Sequence, residues 1–246
     1  MFQLSGKTAL ITGAGQGVGF GIAKALSEQG ASVIINDVCA NSAQQAADKI
    51  NASAGTAIAC VFDVTDFNQV NERIKCLPET IDILVNNAGN AGDRQMEMIP
   101  FVEMDPKQWQ RFINVNLYGV LNCTKVVLNS MYEQKWGRII TISSDAARVG
   151  LDINVSLYGA AKAGAAHFMR HLAVEAGPFG VTCNIVSLGL MNNVPEEFAG
   201  PIIKDIPARR LGDPMDVGHA CTYLSSEEAS WTSGATLQIT GGKNPT

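Results

Sequence analysis

The sequence predicts an α/β fold, a doubly wound parallel sheet of seven strands flanked by helices. Three observations carry that expectation. Short apolar runs alternate with helical stretches along all 246 residues. Several runs are unbroken Val/Ile/Leu segments, the pattern of parallel strands buried on both faces. The β/α alternation demands right-handed crossovers between parallel strands. With 46% hydrophobic and 17% charged residues the chain can bury a large core. Folds of this class run undivided to about 250 residues, so residues 1–246 are expected to form a single domain.

In chain order, strands are expected at 8–12, 32–36, 57–62, 81–85, 138–142, 181–185 and 235–239. Helices are expected between them at 18–29, 42–52, 67–76, 106–131, 156–176 and 214–224. Asp105-Pro106 and Asp213-Pro214 each set a capping oxygen before a proline at the first helical position, a strong helix start. No repeat, low-complexity tract or linker interrupts the pattern. Only 191–210, with Pro195, Gly200, Pro201 and Pro207, reads as irregular.

Composition excludes several classes of function. The net charge of −5 and the lack of any Lys/Arg run leave no footprint for nucleic acid or an anionic membrane. No apolar stretch approaches the roughly 20 residues that span a bilayer. The opening Met1-Phe2-Gln3-Leu4-Ser5-Gly6-Lys7 does not resemble a signal peptide. The six cysteines are scattered singly without a C-x-x-C pair, the usage of a reduced cytoplasmic protein. His167 and His171 stand four apart but lack a carboxylate partner motif, so no metal site is expected.

The first strand runs into Thr12-Gly13-Ala14-Gly15-Gln16-Gly17-Val18-Gly19 and then a helix. Glycines there let the backbone approach a pyrophosphate and aim helix N-terminal N–H groups at it. The run fits T-G-x-x-x-G-x-G rather than G-x-G-x-x-G, because Val18 stands where the latter needs a small residue. Asp37 ends the second strand, 18 residues past Gly19. A carboxylate there accepts hydrogen bonds from both adenosine ribose hydroxyls. It repels a 2′-phosphate by about 1–4 kcal/mol. Gln16 sits where an Arg could offset that repulsion, and Val38 and Cys39 follow Asp37, so NAD(H) is expected over NADP(H).

Tyr158 and Lys162, four apart in an expected helix, share one helix face. At about 4 Å and an effective dielectric of about 20, an ammonium and a phenolate attract by roughly 4 kcal/mol, about three pKa units. The expectation is a phenol made acidic enough to exchange protons close to neutral pH.

These residues together resemble the short-chain dehydrogenase/reductase family in its compact branch. The likeness covers nearly the whole chain. It rests on Thr12-Gly13-x-x-x-Gly17-x-Gly19, Asp63-Val64, Asn86-Asn87-Ala88-Gly89, Asn116, Ser144, Tyr158-x-x-x-Lys162, Arg210-Leu211-Gly212-x-Pro214 and Thr240-Gly241-Gly242. The resemblance implies one Rossmann-like NAD(P)-binding domain. In it, Gly13, Gln16, Gly17, Val18 and Gly19 meet the dinucleotide, and Asp63 with the Val64 backbone holds the adenine edge. Asn87 and Gly89 floor the pocket. Ser144, Tyr158, Lys162 and Asn116 form the catalytic set, with Lys162 also on the nicotinamide ribose and Asn116 kinking the long helix to hold a water that relays protons through Lys162. Ser143 competes with Ser144 for its role, and Asn114 with Asn116. Relatives commonly carry Pro-Gly after strand six where this chain has Leu188-Gly189, and a threonine where it has Met191, Asn192 and Asn193. The Met191 backbone is expected to serve the carboxamide instead.

The resemblance further implies a secondary alcohol or ketone substrate, hydroxyacyl, alicyclic or steroid-like. An NADPH-dependent 3-oxoacyl reductase is the rival enzyme, and a non-catalytic dinucleotide sensor the remaining class. Ala91, Asp145, Leu151, Leu190 and Met191 are expected to line a mainly apolar pocket. Arg148 is left between contact with an anionic substrate group and a solvated surface position. A homotetramer is the expected assembly, with Ala160, Ala161, Ala163, Gly164, Ala165 and Ala166 permitting close helix approach.

Overall fold

The computed structural model describes residues 1–89, 98–192, 200–201 and 203–245. Seven parallel strands form one sheet: β1 Thr8–Ile11, β2 Ser32–Asp37, β3 Thr56–Val61, β4 Ile83–Asn86, β5 Gly137–Ser144, β6 Val181–Leu188 and β7 Thr236–Ile239. Their order is β3-β2-β1-β4-β5-β6-β7. The direction of winding reverses between β1 and β4, and ligands of such sheets bind beyond the strand C-termini at that reversal.

Helices α1 Gly17–Glu28, α2 Ala40–Ala52 and α7 Pro214–Ser225 cover one face. Helices α3 Phe67–Lys75, α5 Gly119–Gln134 and α6 Ser156–Ala176 cover the other. Strand alternation feeds both cores: Ala9 and Ile11 of β1 pack with α1 and α2, while Leu10 packs on the opposite side. Among the described residues no helix is long and apolar enough to cross a membrane.

The helix expected at 106–131 is broken. Pro106–Gln108 is a 3₁₀ turn whose Asp105 cap accepts the Lys107 N–H at 2.9 Å. Trp109–Ile113 (α4) then leads through a π-helical turn, Asn114–Tyr118, into α5. The cause lies in Asn116, whose amide donates to the Phe112 carbonyl at 2.9 Å and competes with the backbone ladder. The Asp213 start is regular: Asp213 accepts the Met215 N–H at 2.8 Å, and its own N–H donates to Asp216.

Strands β5 and β6 outrun their apolar cores. β5 ends in Ser143 and Ser144, paired in register with Ser187 and Leu188 of β6. Asn36, buried inside the apolar β2, donates to the carbonyls of Cys60 at 3.1 Å and Phe62 at 3.0 Å. Its own backbone carbonyl accepts the Ala14 N–H at 2.8 Å. One side chain thus ties β3 to β2 beside the glycine turn. Asn36→Ala strands two acceptors and is expected to lower stability by about 1–3 kcal/mol. Chemical denaturation should show a lower midpoint with an unchanged slope.

Candidate active site

The glycine turn is held from behind. Thr12 Oγ1 accepts the N–H groups of Asn87 and Ala88, both at 3.0 Å. The Asn87 amide donates back to the Thr12 and Gly13 carbonyls, both at 2.9 Å. Asn87 therefore clamps the turn with the side chain that sequence reasoning placed in the pocket floor. Gly13 (φ +60°) packs so closely that an added Cβ would stand 2.9 Å from the Ala88 Cα. No side chain caps α1 and no acidic residue lies in its first turn. Its N-terminal N–H groups, around Gly17, Val18 and Gly19, retain the partial positive charge that suits a phosphate. Gln16 is exposed at the helix start.

Asp37 stands at the mouth of this turn. Its Oδ2 accepts the Gly15 N–H at 3.1 Å and its Oδ1 the Cys39 N–H at 3.0 Å. A side chain at Gly15 would collide with that carboxylate, 2.8 Å away. Asp63 accepts the Thr65 N–H at 2.8 Å, beyond β3. Val64 is buried beside it, and its carbonyl accepts from Asn122 at 2.9 Å.

At the next strand ends the chemistry-bearing groups gather. The Ser144 hydroxyl hydrogen-bonds the half-buried Tyr158 phenol and accepts the Ala146 N–H at 3.2 Å. Ser143, one residue earlier, faces the opposite side of the sheet. Lys162 is 4% exposed and donates to the Ile142 carbonyl at 2.8 Å. A Cβ built on Gly89 would lie 2.8 Å from Lys162 Nζ and 3.0 Å from Asn116 Oδ1. The floor glycine, the lysine and the asparagine of the π turn therefore meet at one point, which any larger residue at 89 would fill. Asn114 is bonded instead to Gln110 at 2.7 Å.

The expected pairing of phenol and amine takes a different form. Lys162 Nζ lies 6.0 Å from the Tyr158 ring centroid because the Ile142 carbonyl draws it toward β5. Burial pushes the Tyr158 phenol above its usual value of 10, and the Ser144 hydrogen bond pulls in the other direction. The sequence-based expectation of an acidified phenol is reversed in this state. Burial lowers Lys162 itself from 10.5 to about 8.

Around the site, Met191 is buried and forms a parallel bridge with Gly212. The bridge uses the Leu190 carbonyl and the Asn192 N–H, so the Met191 N–H and C=O point to the other side. Arg148, left open between a substrate contact and a solvated position, is engaged within the chain. It pairs with buried Asp145 at 3.0 Å and donates to the Asn244 carbonyl at 2.9 Å. The Asn244 amide also donates to Asp145 at 3.3 Å, tying the chain's last residues to the end of β5. Sequence reasoning missed this lock, the Thr12 hydroxyl and Asn36. Only Asn36 carried a signal, a polar residue within an apolar strand. Ala91 and Asn193 lie outside the described residues.

A glycine turn on a helix N-terminus, a strand-end carboxylate, and a serine, tyrosine, lysine and asparagine gather at the winding reversal, where sheets of this kind bind their ligands. A family profile described as enoyl-(acyl carrier protein) reductase matches residues 13–244. The chain is 34% identical over 250 residues to 7alpha-hydroxysteroid dehydrogenase of Escherichia coli, covering 98% of this chain and 95% of that protein. It is equally 34% identical over 245 residues to the 3-oxoacyl-(acyl-carrier-protein) reductase FabG of Escherichia coli, covering 98% of both. A 3-oxoacyl-(acyl-carrier protein) reductase with bound NAD from Brucella melitensis superposes with a TM-score of 0.94 at 30% identity, over 100% of this chain and 94% of that one. The chain belongs to the short-chain dehydrogenase/reductase family and is an oxidoreductase of that family.

The buried Lys162 has a measurable consequence. Its folded value near 8 lies below the ordinary 10.5, so between those limits the unfolded chain binds more protons than the folded one. The burial cost, about 3 kcal/mol, is full below pH 8 and fades as pH rises to 10.5. Wild type should therefore gain stability relative to Lys162→Met across that window. Denaturation midpoints of both proteins at several alkaline pH values check the sign.

Proposed function

We propose that the protein is an NAD(H)-dependent dehydrogenase interconverting a secondary alcohol and a ketone, with Tyr158 as proton donor and acceptor. The observation that carries this reading is the Ser144–Tyr158 hydrogen bond at the end of β5, beside the point where Gly89, Lys162 and Asn116 meet. The residues fit a nicotinamide dinucleotide. The uncapped α1 terminus suits its pyrophosphate, and Asp37 its adenosine ribose. Asp63 and Val64 suit the adenine edge, Lys162 the second ribose, and the outward Met191 backbone the carboxamide. When bound, that cofactor supplies or accepts the hydride.

The chain's own residues do the rest. Ser144 and Tyr158 hold the substrate oxygen between two hydroxyls, a donor of this kind contributing about 2.7–4 kcal/mol to the transition state. Tyr158 gives its proton to a ketone oxygen in reduction and takes one from the alcohol in oxidation. A phenol held above its usual value stays protonated near neutral pH, which favours donation. Asn116, set by the π turn, holds Lys162 in line for proton exchange with solvent. Tyr158→Phe should abolish turnover while leaving NADH binding, read by fluorescence titration, unchanged. Wild-type alcohol oxidation should climb with pH above neutrality as the phenolate fraction grows. Near-normal turnover of the phenylalanine variant would remove Tyr158 from the chemistry.

The substrate class we propose is hydroxyacyl or alicyclic and steroid-like, consistent with the likeness to 7alpha-hydroxysteroid dehydrogenase. A second reading, an NADPH-dependent 3-oxoacyl reductase, draws on the equal identity to the 3-oxoacyl reductase. Asp37 separates the two, since its carboxylate repels a 2′-phosphate by about 1–4 kcal/mol. Asp37→Ala should weaken NADH and strengthen NADPH, each by about tenfold or more. Dissociation constants for both cofactors test this, and a tighter NADPH constant in wild type would favour the second reading.

A further inference from the structure

On the α6 face of the sheet, with its back to the Ser144 side of β5, lies a cavity of about 360 Å³ walled by β5, β6, β7 and α6. Ser143 and Ser187 line it side by side, since they are register partners across β5 and β6. Alternation turns them away from the face that Ser144 and Leu188 occupy. Ser187 is 0% exposed and Ser143 4%. Neither hydroxyl meets a hydrogen-bond partner among the described residues. An unpaired buried hydroxyl costs about 1–3 kcal/mol, and two adjacent ones in one wall point to a guest that bonds both.

The ionisable side chains in the walls are Arg148, His167 and Arg170, with no carboxylate among the lining residues. Arg148 is offset by Asp145 just outside the walls. Arg170 reaches across to Thr236 Oγ1 at 3.1 Å, setting a guanidinium with five donors at the rim. Ala163, Gly164, Ala166, His167 and Arg170 recur at helical spacing, so one face of α6 supplies both room and charge. The volume is at the small end of ligand pockets, which run from about 300 Å³.

We propose that this cavity binds a small organic anion, a carboxylate or a phosphate monoester, held by the Ser143 and Ser187 hydroxyls and the Arg170 guanidinium. It is separate from the dinucleotide crevice and stands independently of the dehydrogenase reading. Crystals of the full chain grown without anionic precipitant and soaked in tungstate test it. Anomalous density is expected between Ser143, Ser187 and Arg170. Calorimetric titrations with inorganic phosphate and with citrate then distinguish the two sources, and binding of either supports the site. The double variant Ser187→Ala, Arg170→Gln should bind that anion at least tenfold more weakly, with NADH affinity unchanged. If the double variant does not fold, Arg170→Gln alone alters only an exposed side chain and carries the comparison. Density confined to the glycine turn, a cavity filled by a side chain of a second copy, no binding of either anion, or equal affinities in wild type and variant overturns the proposal.

Discussion

Where the winding reverses, β1 and β4 send their chains in opposite directions, and the Thr12 hydroxyl bridges the two ends. It accepts two N–H groups from the turn after β4, and the Asn87 amide returns two bonds to the turn after β1. These four contacts make the two turns one unit. The glycine turn keeps its open shape because its rear carbonyls are already bonded, and Gly13 is pressed onto Ala88. Asn36 extends the unit to β3 through Cys60 and Phe62. Without these bonds the Thr12, Gly13, Cys60 and Phe62 carbonyls, at the ends of β1 and β3, would lose their side-chain partners at the edge of the crevice, each costly to leave buried.

The same unit sets the far wall of the site. Gly89, two residues past Asn87, lies where Lys162 and Asn116 converge, so the spacing of β1 and β4 decides how near the lysine comes to the crevice floor. Lys162 is held there at a cost, since burial takes its value down to about 8. A buried amine is poor material for stability and useful material for proton handling. Asn116 reaches its position only because the helix opens into a π turn, which sacrifices regular backbone bonding for the placement of one side chain.

The layer order and each strand were readable from apolar runs, because parallel strands buried on both faces advertise themselves in sequence. Their polar ends were not. The expected β5 and β6 stopped at 142 and 185, while the strands run on to Ser144 and Leu188, since hydroxyls at a ligand crevice break the apolar pattern that defines the strand. Pro106 and the periodicity beyond it suggested one long helix that the family resemblance expected Asn116 to kink, and the kink takes the form of a π turn around the Asn116 side-chain bond. Tyr158 and Lys162 do share a helix face. Spacing alone could not tell that the Ile142 carbonyl, 20 positions away, competes for the ammonium.

On the proposed reading, cofactor choice and substrate choice are carried by different parts of this chain. The turn, Asp37 and Asp63 all precede β4 and would address a dinucleotide whatever alcohol or ketone is bound. Substrate recognition would then belong to the ends of β5 and β6 and what packs on them. There Arg148, the cation nearest Ser144 in sequence, is consumed by Asp145 and Asn244. An anionic group that drew Arg148 away from the buried Asp145 carboxylate would leave that charge without its ion pair, at a cost of several kcal/mol. The lock makes a strut for β5 of a residue that the sequence left between an anion contact and a solvated position. On the proposed reading, that leaves the described wall next to Ser144 suited to a neutral portion of the substrate.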